Sequence, residues 1–384
     1  MTLNIIVNIV WYCWLGSKVG LMQGTANPRF VGSNPTSASI LKILSMLDIE
    51  TKITIAIDLM GGDNAPSMPI NGLKIASEKH KHIKFKVFGN KSLILQKCPD
   101  FNFYKYDFID CPVVISSHEQ PAKALRNSKH SSMRCAIECV QRGDADAIIS
   151  AGNTGALMAI SKLILKTLPS IDRPAICTFI PTKKRPCLML DVGANINCEP
   201  HNLLEFAVMG DAFLSATIGN KKGKIAILNI GTEDTKGHAI LREANLLLQN
   251  SAIKDRYIGY IEPHQVFDGD VDIVVTDGFN GNIFIKTAEG IGGWIKQILT
   301  DSFRSSILAK IGYLLTKQAL KRSMKVIDPR NYNGAMFIGL NGISIKSHGG
   351  TDDIGFSKAI DSAVVLTNSK INKKIADLIT HYDM

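Results

Sequence analysis

One pattern dominates the sequence: a short β-branched apolar run, a turn rich in Gly, Asn and Asp, then a stretch with helical spacing. Ile53, Ile55, Ile57 and Leu59 meet Gly61-Gly62-Asp63-Asn64-Ala65-Pro66. Ala145–Ser150 leads into Gly152-Asn153-Thr154-Gly155, and Cys187–Leu190 into Asp191-Val192-Gly193-Ala194-Asn195. Ile225–Ile230 leads into Gly231-Thr232, and Val271–Thr276 into Asp277-Gly278-Phe279-Asn280-Gly281-Asn282. Near the end, Phe337–Leu340 and Ile343–Ile345 lead to His348-Gly349-Gly350. Strands alternating with helices point to βαβ units and a largely parallel sheet. Strands that are apolar throughout fit a sheet covered on both faces. In such sheets ligands bind at the carboxyl ends of the strands. One such turn alone is explained by Gly backbone freedom and by Asn or Asp capping the next helix. The expectation here is that several of them converge on a common site.

Composition narrows the class. With 45% hydrophobic and 20% charged residues, the chain can bury a large core, and disorder over most of its length is excluded. The net charge of +10 favours anionic partners such as nucleic acid, a lipid surface, phosphate or an acidic protein, although a general basic bias explains it equally well. The eight cysteines form no CxxC pair, and several sit in strand-like runs such as Ala175-Ile176-Cys177-Thr178-Phe179. Buried reduced thiols account for them. His80 and His82 fall in a Lys-rich stretch that reads as a solvated turn, so no structural metal site is expected.

Residues 1–45 stand apart. Ile5–Leu15 is apolar but too short to span a bilayer, and it lacks a positive n-region. Gly16–Ser39 is aperiodic, and Gly32-Ser33-Asn34-Pro35-Thr36 is what the common transfer-RNA T-arm sequence reads as in one frame. The segment is expected to be a non-native or disordered extension ahead of a folded unit over 46–384, with Met46 as a natural start. A membrane-touching leader is the alternative.

Two segments carry anion-binding chemistry. Ser150-Ala151-Gly152-Asn153-Thr154-Gly155-Ala156 precedes Leu157, Ile160 and Ile164 at helical spacing. Free N–H groups at that helix start, with the Asn153 amide and the Thr154 hydroxyl, can hold an anion. The segment is neither a Walker A loop nor GxGxxG, which argues against nucleotide hydrolysis and dinucleotide binding. Capping alone remains a competing explanation. Upstream, Arg126 and Lys129 are three apart and would share a helix face, with Ser131 and Ser132 beside them. A solvated basic helix start explains this set equally well.

The strings IAIDLMGGDNAP, SAGNTGALMA and LDVGAN, the Asn229-Ile230-Gly231 turn, FDGDVDIVVTDGFNGNIFIKTAEG and the late His348-Gly349 pair resemble the phosphate acyltransferase family from about Ile53 to the C-terminus. That resemblance implies a three-layer α/β/α sandwich with a mainly parallel sheet, similar to the isocitrate/isopropylmalate dehydrogenase-like fold. It implies transfer of a long-chain acyl group from acyl carrier protein to inorganic phosphate. It further implies a homodimer without cofactor, metal or nucleic-acid partner, cytoplasmic or resting peripherally on an anionic membrane, and passing acyl phosphate to a downstream membrane acyltransferase. Ser128, His130 and Gly350 depart from the family pattern.

The expected roles follow. Asn153, Thr154, Gly152 and Gly155 hold phosphate, and Arg126 and Lys129 neutralise its charge. His348 polarises the carbonyl or protonates the leaving thiolate, with a purely structural histidine at a strand end as the competing explanation. Gly61, Gly62, Asp63, Ser131, Ser132, Asn195, Asp277, Asn280, Gly281 and Asn282 line the substrate site. In an alternative arrangement Asp58, Asp191 and Asp277 converge on a divalent metal; capping or lysine pairing is preferred. A basic amphipathic stretch over 293–325, carrying Lys310, Lys317, Lys321 and Arg322, is expected to dock carrier protein or membrane. A helix pair at a dimer interface explains it equally well. Competing functions are a phosphotransacetylase using acyl-CoA and a non-enzymatic scaffold.

Overall fold

A computed structural model describes residues 53–218, 223–326 and 328–380; the expectation for 1–45 lies outside them. Among the described residues, eleven strands form one sheet. In chain order they are β1 (Thr54–Asp58), β2 (Lys84–Gly89), β3 (Asp107–Asp110), β4 (Ala147–Ser150), β5 (Ala175–Ile180), β6 (Cys187–Leu190), β7 (Ile225–Leu228), β8 (Tyr257–Ile261), β9 (Ile273–Val275), β10 (Ala335–Ile338) and β11 (Ile343–Lys346). Their spatial order is β3-β2-β1-β4-β11-β10-β5-β6-β9-β7-β8. The helices are α1 (Ser67–Lys79), α2 (Lys91–Lys97), α3 (Pro121–Asn127), α4 (Ser132–Gln141), α5 (Thr154–Leu165), α6 (Pro200–Ile218), α7 (Ala239–Gln249), α8 (Pro263–Val266), α9 (Gly278–Arg304), α10 (Ile307–Val326), α11 (Asp353–Asn368) and α12 (Ile371–Ile379).

Alternation along the strands sorts the core into layers, because successive side chains point to opposite faces. Ile55, Ile57, Ile149, Ile345, Met336, Cys177, Leu190, Val275 and Ile227 share one face, covered by α1, α6, α7, α11 and α12 in a single continuous core. The opposite face is divided. Ala56, Ile148, Ile176 and Phe337 pack under α4 and α5. Met189, Val274 and Ala226 form a separate cluster, against which Phe284 and Ile285 of α9 pack. The molecule is thus the expected α/β/α sandwich, with one side closed and the other split between two helical groups.

Strand direction divides the sheet as well. β1, β2, β3, β4 and β11 run parallel to one another, as do β6, β7, β8 and β9. Between the two sets, β11–β10, β10–β5 and β5–β6 are antiparallel. That odd number of reversals points the two parallel sets in opposite directions. The glycine turns therefore do not all meet, as the sequence led us to expect. Those after β1, β4 and β11 gather at one edge of the sheet; those after β6, β7 and β9 gather at the other.

Two further expectations are corrected. Arg126 and Lys129 share no helix face, because α3 ends at Asn127, where the Ser128 hydroxyl donates to the Leu125 carbonyl at 2.9 Å and turns the chain. His80 is not a solvated turn residue: its Nε2 lies 2.7 Å from the Asp361 carboxylate on α11.

Candidate active site

At the edge where β1, β4 and β11 end, the buried Asp58 carboxylate organises the loops. It accepts from Ser132 Oγ and Ser150 Oγ, each at 2.7 Å, and from the Met60 N–H at 3.0 Å. Burial pushes its carboxyl above the usual range, and the two serine hydroxyls oppose that shift. Ser132 thereby ties α4 to β1, and Ser150 ties β4. Gly61 then lies so close to the next turn that a Cβ there would meet the Gly152 nitrogen at 2.4 Å. The third strand joins through Ser347 N–H to Ser150 O at 2.9 Å and Asp63 N–H to Gly349 O at 3.0 Å.

The start of α5 lies beside this knot. Asn153 caps it, its Oδ1 accepting from the Ala156 N–H at 3.0 Å. Its Nδ2 donates to Ser117 O at 2.9 Å and Glu119 O at 2.8 Å, so the amide is spent on holding the 116–119 loop. Gly152 N–H donates to Ser150 Oγ at 3.0 Å. A Cβ at Gly155 would strike Pro121 Cγ at 2.6 Å, so this glycine admits α3. What remains for an anion are the Thr154 hydroxyl and the N–H groups of Thr154 and Gly155, which precede the first helical bond from Leu157 N–H to Asn153 O.

His348 is exposed just beyond β11. Its N–H donates to Asn333 Oδ1 at 2.9 Å, and its Nδ1 accepts from the Gly350 N–H at 3.1 Å. A ring nitrogen that accepts carries no proton, so in the neutral ring the proton resides on Nε2. Asp63 is close by: a Cβ on Gly350 would lie 3.3 Å from Asp63 Oδ2 and 3.7 Å from His348 Nδ1.

Sequence reasoning missed Lys346, the last residue of β11. Its Nζ donates to Ala151 O at 3.2 Å and also to Ser347 O. Burial lowers its ammonium to about 8; Lys286 on α9 adds to the shift, while Asp63 and Asp58 oppose it. The available signal was a charged residue closing the otherwise uncharged run Ile343-Ser344-Ile345.

The opposite edge has the same vocabulary and a different outcome. The buried Asp191 carboxylate accepts from the N–H groups of Ile176, Gly193, Ala194 and Asn195 and from Asn195 Nδ2. Burial raises its carboxyl, and the N–H groups of Ala194 and Ile176 are the largest opposing influences. Asp277 caps α9, accepting from the N–H groups of Phe279 and Asn280 and from Asn280 Nδ2. A Cβ on Gly281 would fall 2.0 Å from Asp191 O, and one on Gly193 3.6 Å from Asn282 Cγ.

The expected residues therefore fall into groups. Gly61, Gly62, Asp63, Ser132, Gly152, Thr154, Gly155 and His348 come together, with Ser131 capping α4. Arg126 is exposed on the last turn of α3, and Lys129 is exposed on the connection between α3 and α4. Asn195, Asp277, Asn280, Gly281 and Asn282 belong to the other edge. Asp58 is separated from Asp191 and Asp277, so the three acids do not converge, and among the described residues no cluster of metal-ligating side chains forms. Lys310, Lys317 and Lys321 lie on α10; Arg322 belongs to that helix, but its side chain lies outside the described set.

Comparison with known proteins decides the family. A family model described as fatty acid synthesis protein matches residues 53–374. A phosphate acyltransferase of Paramagnetospirillum magneticum is 45% identical over 331 residues, covering 84% of this chain and 93% of that protein. One from Ehrlichia canis is 44% identical over 329 residues, covering 84% and 98%.

The chain belongs to the phosphate acyltransferase family.

Solved structures show the same fold at low identity. EutD phosphotransacetylase from Staphylococcus aureus superposes with a TM-score of 0.53 at 15% identity, covering 86% of this chain and 98% of that one. A phosphotransacetylase from Streptococcus pyogenes gives 0.52 at 14%, covering 87% and 99%. In this member of the phosphate acyltransferase family, the edge at Asp58 brings together the Lys346 ammonium, the Thr154 hydroxyl and the N–H groups at the start of α5.

Proposed function

We propose that this protein transfers a long-chain fatty acyl group from acyl carrier protein to inorganic phosphate, giving acyl phosphate for lysophosphatidate synthesis. The observation that carries the reading is the juxtaposition, in a phosphate acyltransferase, of the Lys346–His348 segment with the β4–α5 turn, whose helix start keeps donors for an anion. Phosphate at neutral pH is already a nucleophile, so the site needs no strong base. It must hold the anion beside a thioester carbonyl, a proximity effect worth roughly 7–11 kcal/mol. The Thr154 hydroxyl and the first N–H groups of α5 take the phosphate, with Arg126 and Lys129 lending positive charge. Nε2–H of His348 faces the thioester carbonyl oxygen; one such donor to a developing oxyanion is worth roughly 2.7–4 kcal/mol.

The thioester's carrier needs a docking surface. α9 and α10 are joined at Ser305-Ser306, with the rings of Phe303 and Tyr313 5.5 Å apart. Trp294, Leu308 and Leu315 are exposed there, Leu315 at 82%, interleaved with Lys310, Lys317 and Lys321. We assign this helix pair to carrier-protein or anionic-membrane docking in a homodimer. Among the described residues, no helix is long and apolar enough to cross a membrane.

The test is acyl phosphate formation from long-chain acyl carrier protein and phosphate, with acetyl-CoA as a second donor. Turnover with the carrier-protein substrate and little with acetyl-CoA is expected. The reverse preference would make the protein a phosphotransacetylase, and no product from either donor would favour a scaffold.

A further inference from the structure

We propose that Lys346 is the general acid of the transfer, delivering a proton from Nζ to the departing thiol sulfur; this rests on reading the site as an acyl-to-phosphate transferase. Position is the first argument. Ile345 points into the continuous core, so alternation turns Lys346 to the divided face. Ser344, on that same face, meets Ser161 of α5 at 3.2 Å. On the other side of the division stands α9, whose Lys286 is near enough to influence Lys346. The lysine thus occupies the gap between the two helical groups.

Hydrogen bonding is the second argument. An ammonium has three N–H donors. The carbonyls of Ala151 and Ser347 account for two of them, which fixes the head group and leaves the third for a substrate atom. Ala151 and Gly349 form the wall there: a Cβ on Gly349 would lie 3.5 Å from Ala151 O and 3.4 Å from Asp63 Oδ1. The charged groups acting on the ammonium are Asp63 and Asp58 from β1 and its turn and Lys286 from α9. The β4–α5 turn presents only backbone.

Acidity is the third. Burial and Lys286 bring Nζ to about 8, near the ordinary value of about 8.5 for a cysteine thiol. An acid matched to both the leaving group and the working pH transfers its proton most effectively. His348, with Nδ1 occupied and Nε2–H exposed, is left for the carbonyl oxygen. In the step itself, a phosphate oxygen forms the C–O bond and the C–S pair moves to sulfur. Sulfur then takes the Nζ proton, and the neutral amine regains a proton from solvent.

The decisive variable is the leaving group. Lys346→Met and Lys346→Arg are assayed with the acyl carrier protein thioester and with the same acyl group on an aromatic thiol, which departs without protonation. Loss of a general acid is expected to lower kcat on the carrier-protein thioester by about 10²–10³-fold. On the aromatic thioester the loss stays under about tenfold. Arg preserves hydrogen bonds to the two carbonyls but gives up no proton, so it should fail in the same way as Met. An equal loss on both donors, accompanied by a raised phosphate KM, would make Lys346 a phosphate or structural residue and overturn the proposal. Should the variants not fold, the wild-type protein decides: turnover of the carrier-protein thioester falls as pH rises through about 8 and that of the aromatic thioester does not. Parallel profiles would overturn the proposal. If the wild type made acyl phosphate from neither donor, the functional reading itself would fail, a result distinct from either of these.

Discussion

The two edges of the sheet begin from the same local recipe and end differently. At each, a buried aspartate at or just past the end of a strand collects donors from neighbouring turns, and glycines let the turns approach. Asp191 takes most of its donors from its own loop's backbone, and Gly278 and Gly281 let α9 pack directly against that loop. Asp58 instead takes hydroxyls from two other elements, Ser132 and Ser150. It thereby assembles three strand ends, with His348 exposed on their rim and the Lys346 ammonium held behind it by the Ala151 and Ser347 carbonyls. Here the carboxylate satisfied locally makes a tight joint with one helix, and the one satisfied by distant elements ties three strand ends together.

The largest expected effect breaks the tight joint. Gly281→Ala would set a Cβ 2.0 Å from a backbone carbonyl oxygen that cannot move aside. We expect a loss of about 3 kcal/mol or more, overpacking at its severe end, read as a collapse of the urea midpoint. Gly349→Ala, whose Cβ would come no closer than 3.4 Å to Asp63, should unfold within about 1 kcal/mol of wild type yet lose acyl phosphate formation. If both variants were equally unstable, the contrast between the two edges would be wrong.

A middle-sized effect separates positioning from binding at the Asp58 edge. Asn153→Ala removes the α5 cap and frees the 116–119 loop, costing about 1 kcal/mol of stability and lowering kcat. Lys129→Ala should leave the melting temperature unchanged and raise the phosphate KM several-fold, as loss of one exposed charge partner does. A raised acyl-donor KM with phosphate KM unmoved would displace the phosphate from this position.

The smallest effect lies farthest from both edges. Reversing Lys317, Lys321 and Arg322 to Glu should weaken binding to acyl carrier protein or anionic vesicles in a salt-dependent way. The protein's mass in solution and its turnover of a small soluble thioester should stay as they were. Unchanged affinity for both partners would remove α10 from the docking surface.

Much of this was legible in the sequence, for identifiable reasons. The apolar runs ending in Gly, Asn and Asp gave strand positions and the layered fold, because burial on both faces demands such runs. Strand direction was not legible: β5 and β6 read as ordinary apolar runs, and only their antiparallel pairing from Cys177–Leu190 to Ile180–Cys187 reverses the second half of the sheet. Hence Asn195, Asp277 and Asn282 looked equivalent to Gly152 and His348 although they sit on the far edge. Asn153 looked like a ligand because a capping amide and a binding amide share one sequence signature. Lys346 escaped notice because its importance comes from carbonyls contributed by two different turns, which no local pattern encodes.

The central claim is that the Asp58 edge, not the Asp191 edge, receives the phosphate. Amide hydrogen exchange of the intact protein with and without saturating inorganic phosphate tests it most directly. We expect slowed exchange in segments 152–156 and 346–350 and no change in 191–195 or 278–282. Protection confined to 191–195 and 278–282 would contradict the account.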